Sequence, residues 1–471
     1  MTKVPYNPYQ SWSIADFSGG LNNKYADILI KENQCADVQN CLSLTVGKLQ
    51  KRPGQAYLNA AAVGAGGVIG LYGYYYGSPT LNRKLIAVFS DGAAYYWNGS
   101  SFAGIGKTGL NTSAPTLFAT CVNYMVGMNG VDAPWKYDGT TVSALANAPA
   151  TGKVPVLHAE KLFCITDAGT IMWSDSFAPE SWPGVNVEKF DVGDGDQLTA
   201  LFSYGLNKLL VCKRRRIFYL VGTSLDDFRS ACVEGKHGVV GPRAGIVIDP
   251  YFYYISDDGI FRWDDLKSVD LTSGTIPQTW ANVNKAALSG AVAGYNRAYN
   301  CLWFHVPEGA STVNNMVLVF DLTSQSWWVF RGISASCMVD YDDGNAMHVY
   351  TGHATQGYVV EQNIGLSDFG AAISSYWVGK QFDGGDPVRM KKFKKVFAVD
   401  VHGLNEAVFS YRLDYGAWQS PAAATDVSDV RKYALPSAKA RYFQPQFSHS
   451  VAGQDFSLAG MEILYKLKKP K

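Results

Sequence analysis

Short apolar runs broken by polar, glycine-bearing turns fill the middle of the chain. Three segments share one layout. Val88-Phe89 passes through Ser90-Asp91-Gly92 to Tyr95-Tyr96-Trp97. Met128 passes through Asn129-Gly130 to Trp135-Lys136-Tyr137, and Ile165 passes through Thr166-Asp167-Ala168-Gly169 to Ile171-Met172-Trp173. The tryptophans recur every 38 residues, at Trp97, Trp135 and Trp173. Looser copies follow. Arg214-Arg215-Arg216 leads into Ile217-Phe218-Tyr219-Leu220, and Ser256-Asp257-Asp258-Gly259 into Ile260-Phe261-Arg262-Trp263. Met316–Phe320 runs on to Trp327-Trp328, and His348-Val349-Tyr350 passes through Gly357 to Tyr358-Val359-Val360. The result is seven units between about Gly67 and Asn363. A unit near forty residues with three or four strands has the size of a propeller blade. Such a sheet is apolar on both faces. Stacking the units radially buries both faces, and closing the circle leaves no end unit. The expected fold is therefore all-β, with a β-propeller of about seven blades over residues 61–373. A pair of β-sandwich domains is the rival, and the regular period favours the propeller. Lys208–Cys212 and Tyr251–Ile255 are almost wholly apolar, as inner strands covered on both faces should be.

The flanks do not share the repeat. Residues 1–60 contain apolar spacings over Lys31–Ser43 that predict a short helix, opened by Glu32, Asn33 and Gln34. Residues 374–471 alternate as strands at Val396–Val399, Ala407–Tyr411, Tyr442–Phe447 and Met461–Tyr465. They predict a small C-terminal β-sandwich platform docked on the ring, with the N-terminal segment packed against it.

Composition agrees with this picture. Of 471 residues, 47% are hydrophobic and 17% charged, enough apolar surface for a large core. Aromatics at 13% together with 47 glycines suit many short strands joined by tight turns. The net charge of +1 excludes a strongly basic surface at the level of the whole chain. Eight cysteines form no C-x-x-C pair and mostly sit in apolar runs, so buried reduced thiols are expected, in keeping with folding in a cytoplasm. The first residues are polar and contain proline, unlike a signal peptide. Ala60–Leu71 is too short and too rich in Gly and Ala to span a bilayer, so no membrane anchor is expected.

Catalytic chemistry finds no support in the motifs. Ser256–Trp263 resembles an Asp-box turn, but Asp258 and Gly259 are adjacent where that motif has a residue between them, so a hairpin turn is expected. Asp191-Val192-Gly193-Asp194-Gly195-Asp196 has closely spaced carboxylates without EF-hand spacing, and reads as a solvated loop. The histidines are scattered. His348 and His353 are the nearest pair, with no carboxylate or cysteine at metal-ligand spacing, and most histidines are expected to be satisfied. There is no G-x-S-x-G and no P-loop. No catalytic residue, cofactor or metal site is expected. Two basic clusters stand out: Lys213-Arg214-Arg215-Arg216 at a hairpin turn, and Lys391, Lys392, Lys394 and Lys395 around Phe393. Each is either a solvated turn or protected edge, or a contact with DNA phosphates or acidic neighbouring subunits. Lys466–Lys471 reads as a basic solubilising tail.

Four N-terminal stretches carry a resemblance: Phe17-Ser18-Gly19-Gly20-Leu21-Asn22, Ala36-Asp37-Val38-Gln39-Asn40, Gly47-Lys48-Leu49 and Lys51-Arg52-Pro53-Gly54. With Val388–Lys395 ahead of an apolar strand, the chain resembles the tail-tube nozzle (tail tubular) proteins of short-tailed bacteriophages. The direct likeness covers about the first 55 residues and a stretch near 385–400. It implies a structural virion protein, not an enzyme, in which a propeller carries a platform. Several copies, typically six, would form a ring in the tail that continues the DNA channel and supports genome ejection. It further implies assembly in the host cytoplasm and contacts with an upstream tail adaptor or connector and with tail fibres or tip proteins. Double-stranded DNA would pass transiently through the lumen. Arg214, Arg215, Arg216, Lys391, Lys392, Lys394 and Lys395 are the candidate DNA-channel or subunit contacts, and the loops Asp191–Asp196 and Val306–Met316 are candidate gates. A carbohydrate-binding or glycoside-hydrolysing propeller is the alternative, with its aromatics as sugar platforms and a requirement for paired carboxylates. A peptide-binding scaffold is a third.

Overall fold

The computed structural model describes residues 9–468 apart from 78, 400–406, 428 and 436–438. His402 and residues 469–471 of the basic tail lie outside the described residues. Regular structure is almost all β, in many small sheets that are antiparallel except where Gly20–Leu21 pairs in parallel with Gln34–Gln39.

Seven four-stranded sheets are built from residues 68–362 and one strand at 55–57. Their first strands are Val68–Tyr76, Leu117–Cys121, Lys153–His158, Leu198–Tyr204, Gly245–Ile248, Val292–Asn296 and Ala335–Asp342. Each first strand touches the first strand of the next sheet, and the seventh touches the first. The 38-residue spacing has a direct cause. Trp97, Trp135 and Trp173 all lie on the third strand of their sheets, as does Trp263 of the fifth. In the sixth sheet Trp327 and Trp328 fall on the fourth strand. Turn residues set the hairpins. Gly92 takes φ 76°, and the Asp91 Oδ1 accepts from the Ala93 N–H at 2.9 Å. The Ser256–Gly259 turn is likewise a hairpin, closed by Ser256 N–H to Gly259 O at 2.8 Å.

Burial runs between sheets. Phe163, Ile165 and Trp173 of the third sheet pack with Leu209, Val211 and Phe218 of the fourth. Each such side chain, fully buried, contributes about 2 kcal/mol. The seventh sheet takes its outer strand from the beginning of the chain: Gln55–Tyr57 pairs with Val359–Gln362 in the register Ala56 to Glu361. By sequence alone these three residues belong with the N-terminal segment; pairing moves them into the ring.

The remaining strands build a second body from both ends of the chain. One sheet orders Gln10–Ile14, Gly460–Leu467, Lys391–Val399, Val430–Ala434 and Ala423–Val427. Another orders Gly20–Leu21, Gln34–Gln39, Ser375–Gly379, Phe443–His449 and Val408–Leu413. They meet through Phe393 on Phe443, with ring centroids 4.8 Å apart, and Phe409 on Tyr433 at 4.6 Å.

The short helix expected over Lys31–Ser43 is instead the strand Gln34–Gln39 followed by Cys41–Leu42. The register shifts between Cys35 and Asp37, so a bulge adds one residue to the alternation. The buried Cys35 and Val38 thereby sit three apart, which imitates a helical face.

The motif residues pack the second body and join it to the sixth sheet, where Arg52 Nη2 donates to Arg331 O at 3.2 Å. Phe17 is fully buried edge-on to Trp377, with centroids 5.2 Å apart. Gly20 (φ 63°) lies so close to the sixth sheet that a Cβ there would stand 2.6 Å from Trp327 O. The Asn40 N–H donates to Val329 O at 2.8 Å. Arg52 makes a two-pronged ion pair with Asp368, at 3.0 and 2.5 Å. Seven of the eight cysteines are buried and Cys232 is exposed; all are free thiols. Among the described residues no helix is long and apolar enough to cross a membrane.

Candidate basic interfaces and an axial cavity

The two basic clusters have different fates. Lys213 ends the strand Lys208–Lys213 and is fully buried; its Nζ donates to Asp194 at 2.8 Å and to Asp191 O at 2.9 Å. Arg214 forms two bonds to Asp257, at 2.8 and 2.6 Å, and Arg216 reaches Asp191 at 2.7 Å. The Arg215 backbone N–H donates to Asp196 at 3.0 Å, while its side chain is exposed. The acidic loop 191–196 and the arginine hairpin are thus one ionic clamp across the third, fourth and fifth sheets. The loop is solvent-exposed, as the sequence predicts, and two of its carboxylates also hold cations. Lys213 draws the Asp194 carboxyl below the ordinary aspartate range.

The second cluster splits by strand parity. Lys391 is fully buried, so it is not a DNA-channel contact. Its Nζ is held by the carbonyls of Asp386, Arg389 and Arg441, at 2.5, 3.0 and 3.1 Å. Alternation turns Lys391 inward with Phe393, and a register shift between Phe393 and Lys395 follows. Lys392 faces outward, directly opposite Lys439 on one side and Lys466 on the other. Lys394, first, and then Lys439 and Lys468 push its pKa down by like-charge repulsion. Lys395 is exposed, and Lys432 stands across from Phe397 on the same side of the sheet. This sheet therefore presents a lysine-rich face.

Two histidines stand out. His348 lies beside carboxylates from neighbouring segments: Nδ1 is 2.8 Å from Glu361 and Nε2 3.4 Å from Asp343. His305 is fully buried, and neither ring nitrogen has a hydrogen-bond partner among the described residues. Burial alone pushes its pKa down to about 3. In His158 burial, with a smaller push from Lys161, brings it to about 4. The segment Val306–Met316 is pinned rather than free: Glu308 pairs with Arg331 at 2.6 Å, and the Asn314 amide donates to Gly290 O and Ala335 O at 2.9 and 2.7 Å.

One functional candidate has no motif to announce it. At the centre of the seven first strands lies a cavity of about 290 Å³ touched by residues of all seven sheets, including Leu71, Phe118, Val156, Phe202, Ala293 and Met338. A second cavity, of about 450 Å³, opens at the end where those strands begin. Arg243 lines both. The tight turn Gly241–Ala244 places it, with Ala244 N–H to Gly241 O at 3.1 Å, and a Cβ on Gly241 would stand 2.1 Å from Ser289 O. From the fifth sheet the guanidinium reaches Ile69 O at 2.6 Å, Thr116 O at 3.1 Å and Ser336 O at 2.9 Å. It ties the fifth sheet to the first, second and seventh across the axis. The lone signal in sequence is the Gly241-Pro242-Arg243 turn, too common to single out.

No protein-family model and no curated protein sequence matches the chain. Among solved structures it is similar to the computationally designed Ika8 protein, at 10% identity and a TM-score of 0.41, over 65% of this chain and 99% of that one.

Proposed function

We propose that the seven sheets form a β-propeller carrying a β-sandwich platform, and that the protein is a structural ring component of a phage tail, a nozzle or hub. In this reading several copies, typically six, surround a DNA path, with a connector above and fibres or tip proteins beside. The observation that carries it is where the resemblance residues fall. Gly20, Asn40 and Arg52 lie at the joint between the two bodies, and Phe17 packs on Trp377 within the second. The likeness therefore concerns residues that define this architecture, not scattered surface positions.

Two features refine the reading. Arg243 bars the axis of the ring of sheets, so DNA would run between copies and not through a single chain. The lysine-rich sheet face sets Lys392 opposite Lys439 and Lys466, and like charges placed so are destabilising without an anion between them. That face, with Arg215, is the candidate for phosphate or acidic-subunit contact; Arg214 and Arg216 serve the internal clamp. For the glycosidase alternative the axial cavities have the wrong donor set: their walls hold one guanidinium and no carboxylate.

Native mass measurement of the protein, alone and with purified tails, tests the reading. A closed oligomer is expected. A monomer under both conditions removes it.

A further inference from the structure

Arg243 carries a charge that the protein leaves unanswered. Its guanidinium has five N–H donors and makes three hydrogen bonds, all to carbonyls. Among the described residues no carboxylate lines either cavity beside it. An arginine stays protonated in proteins, and even a partly buried cation, as Arg243 is, costs free energy without a counter-charge unless dipoles, water or an anion offset it. The three carbonyls supply part of that. Burial lowers the pKa, the expected sign for a guanidinium short of negative partners.

The wider cavity supplies the rest of a site. Its rim carries the hydroxyls of Thr112, Ser113, Ser289 and Thr312, all on solvent-exposed residues. Ser336 is committed to the carbonyls of Val68 and Gly352. One positive fork, exposed hydroxyls, no negative group and about 450 Å³ of space form a chamber for an anion.

The geometry points to a binding site for a small oxyanion, a carboxylate or a phosphate ester, in the axial cavity, held by the Arg243 guanidinium and by hydroxyls of Thr112, Ser113, Ser289 and Thr312. The anion would complete the neutralisation that the carbonyls begin. It would bridge the sheets that meet at this end of the axis and so stiffen the closure of the ring. This inference does not rest on the tail-ring reading and stands or falls separately.

The test is calorimetric and thermal titration of the full chain with inorganic phosphate and, in a second arm, acetate, against sodium chloride at equal ionic strength. Saturable binding with a raised unfolding temperature is expected in at least one oxyanion arm, and the arm that binds tighter names the source chemistry. Arg243→Gln should weaken it at least tenfold. Because that variant also loses three carbonyl bonds, Thr312→Leu is the companion. It narrows the cavity, leaves Arg243 in place, and should lose binding while its ligand-free unfolding temperature stays within about 1–2 °C of the parent, as for an ordinary partly exposed substitution. Oxyanions that act no differently from chloride overturn the proposal. So does undiminished binding in Thr312→Leu, or in Arg243→Gln.

Discussion

Arg52 has an acceptor for every N–H: Asn40 Oδ1 for Nε, Pro53 O and Asp368 Oδ1 for Nη1, Arg331 O and Asp368 Oδ2 for Nη2. The side chain is 2% exposed. Removing one partner strands a buried charge, which costs about 3–5 kcal/mol, whereas replacing both by apolar groups restores much of it. Asp368→Ala should lose that amount in urea unfolding, and Arg52→Met with Asp368→Leu should recover most of it. His305 makes a pH argument. Its folded pKa, about 3, lies below the ordinary 6.5, so above pH ~6.5 folded and unfolded chains are both neutral there. As pH falls below 6.5 the unfolded state takes up a proton that the folded state refuses. Stability drops at up to ~1.4 kcal/mol per pH unit until the folded pKa is reached. His305→Leu should remove this share of the acid loss, read as a shallower fall of unfolding free energy between pH 6 and 4. His158, brought to about 4 by burial, keeps its own share in the variant.

Among the elements, the three-residue strand Gln55–Tyr57 decides whether the seventh sheet is complete. Gln55 turns its N–H away to Ser367 O, at 3.2 Å, so the Ala56 N–H faces Glu361. Ala56→Pro should cost about 3 kcal/mol and speed amide exchange along Val359–Gln362, while the third sheet stays protected; hydrogen-exchange mass spectrometry reads both. Strand length also decides what a sequence can show. The repeat is legible because each unit repeats one hairpin, most with a tryptophan on the third strand. The closing strand is not, since Gln-Ala-Tyr is too short to alternate and its partner lies at the far end of the ring. Bulges hide the rest. An extra residue at Ala36 makes a strand look helical, and another beside Phe393 blurs which lysines face inward. The ionic clamp joins two clusters visible in sequence, but their pairing depends on sheets lying side by side. Arg243 is a single residue in a common turn, and only the closed ring gives it partners.

For the whole molecule, charge balance is near zero while charge placement is not. The Lys391–Val399 sheet concentrates lysines on its outer face, with Glu462 opposite Phe397 as an acidic group in the described pairing. Under the proposed function this face meets a polyanion loosely. Binding to duplex DNA should be weak and steeply salt-dependent, and Lys392→Gln with Lys395→Gln and Lys466→Gln should reduce the slope of log K against log salt by up to about 1 for each phosphate no longer neutralised. Fluorescence anisotropy across a salt series measures it; an unchanged slope places the DNA surface elsewhere. The borrowed outer strand also bears on how the chain is made. Translation proceeds from the N-terminus at roughly 5–20 residues per second. Residues 55–57 therefore leave the ribosome on the order of half a minute before Val359–Gln362, the strand they must join. Throughout that interval Gln55–Tyr57 lacks its partner strand, and unpaired strands invite pairing with other chains. Completion of the seventh sheet waits until residue 362 has emerged, and any message truncated upstream of Val359 leaves the strand at 55–57 with nothing to pair with.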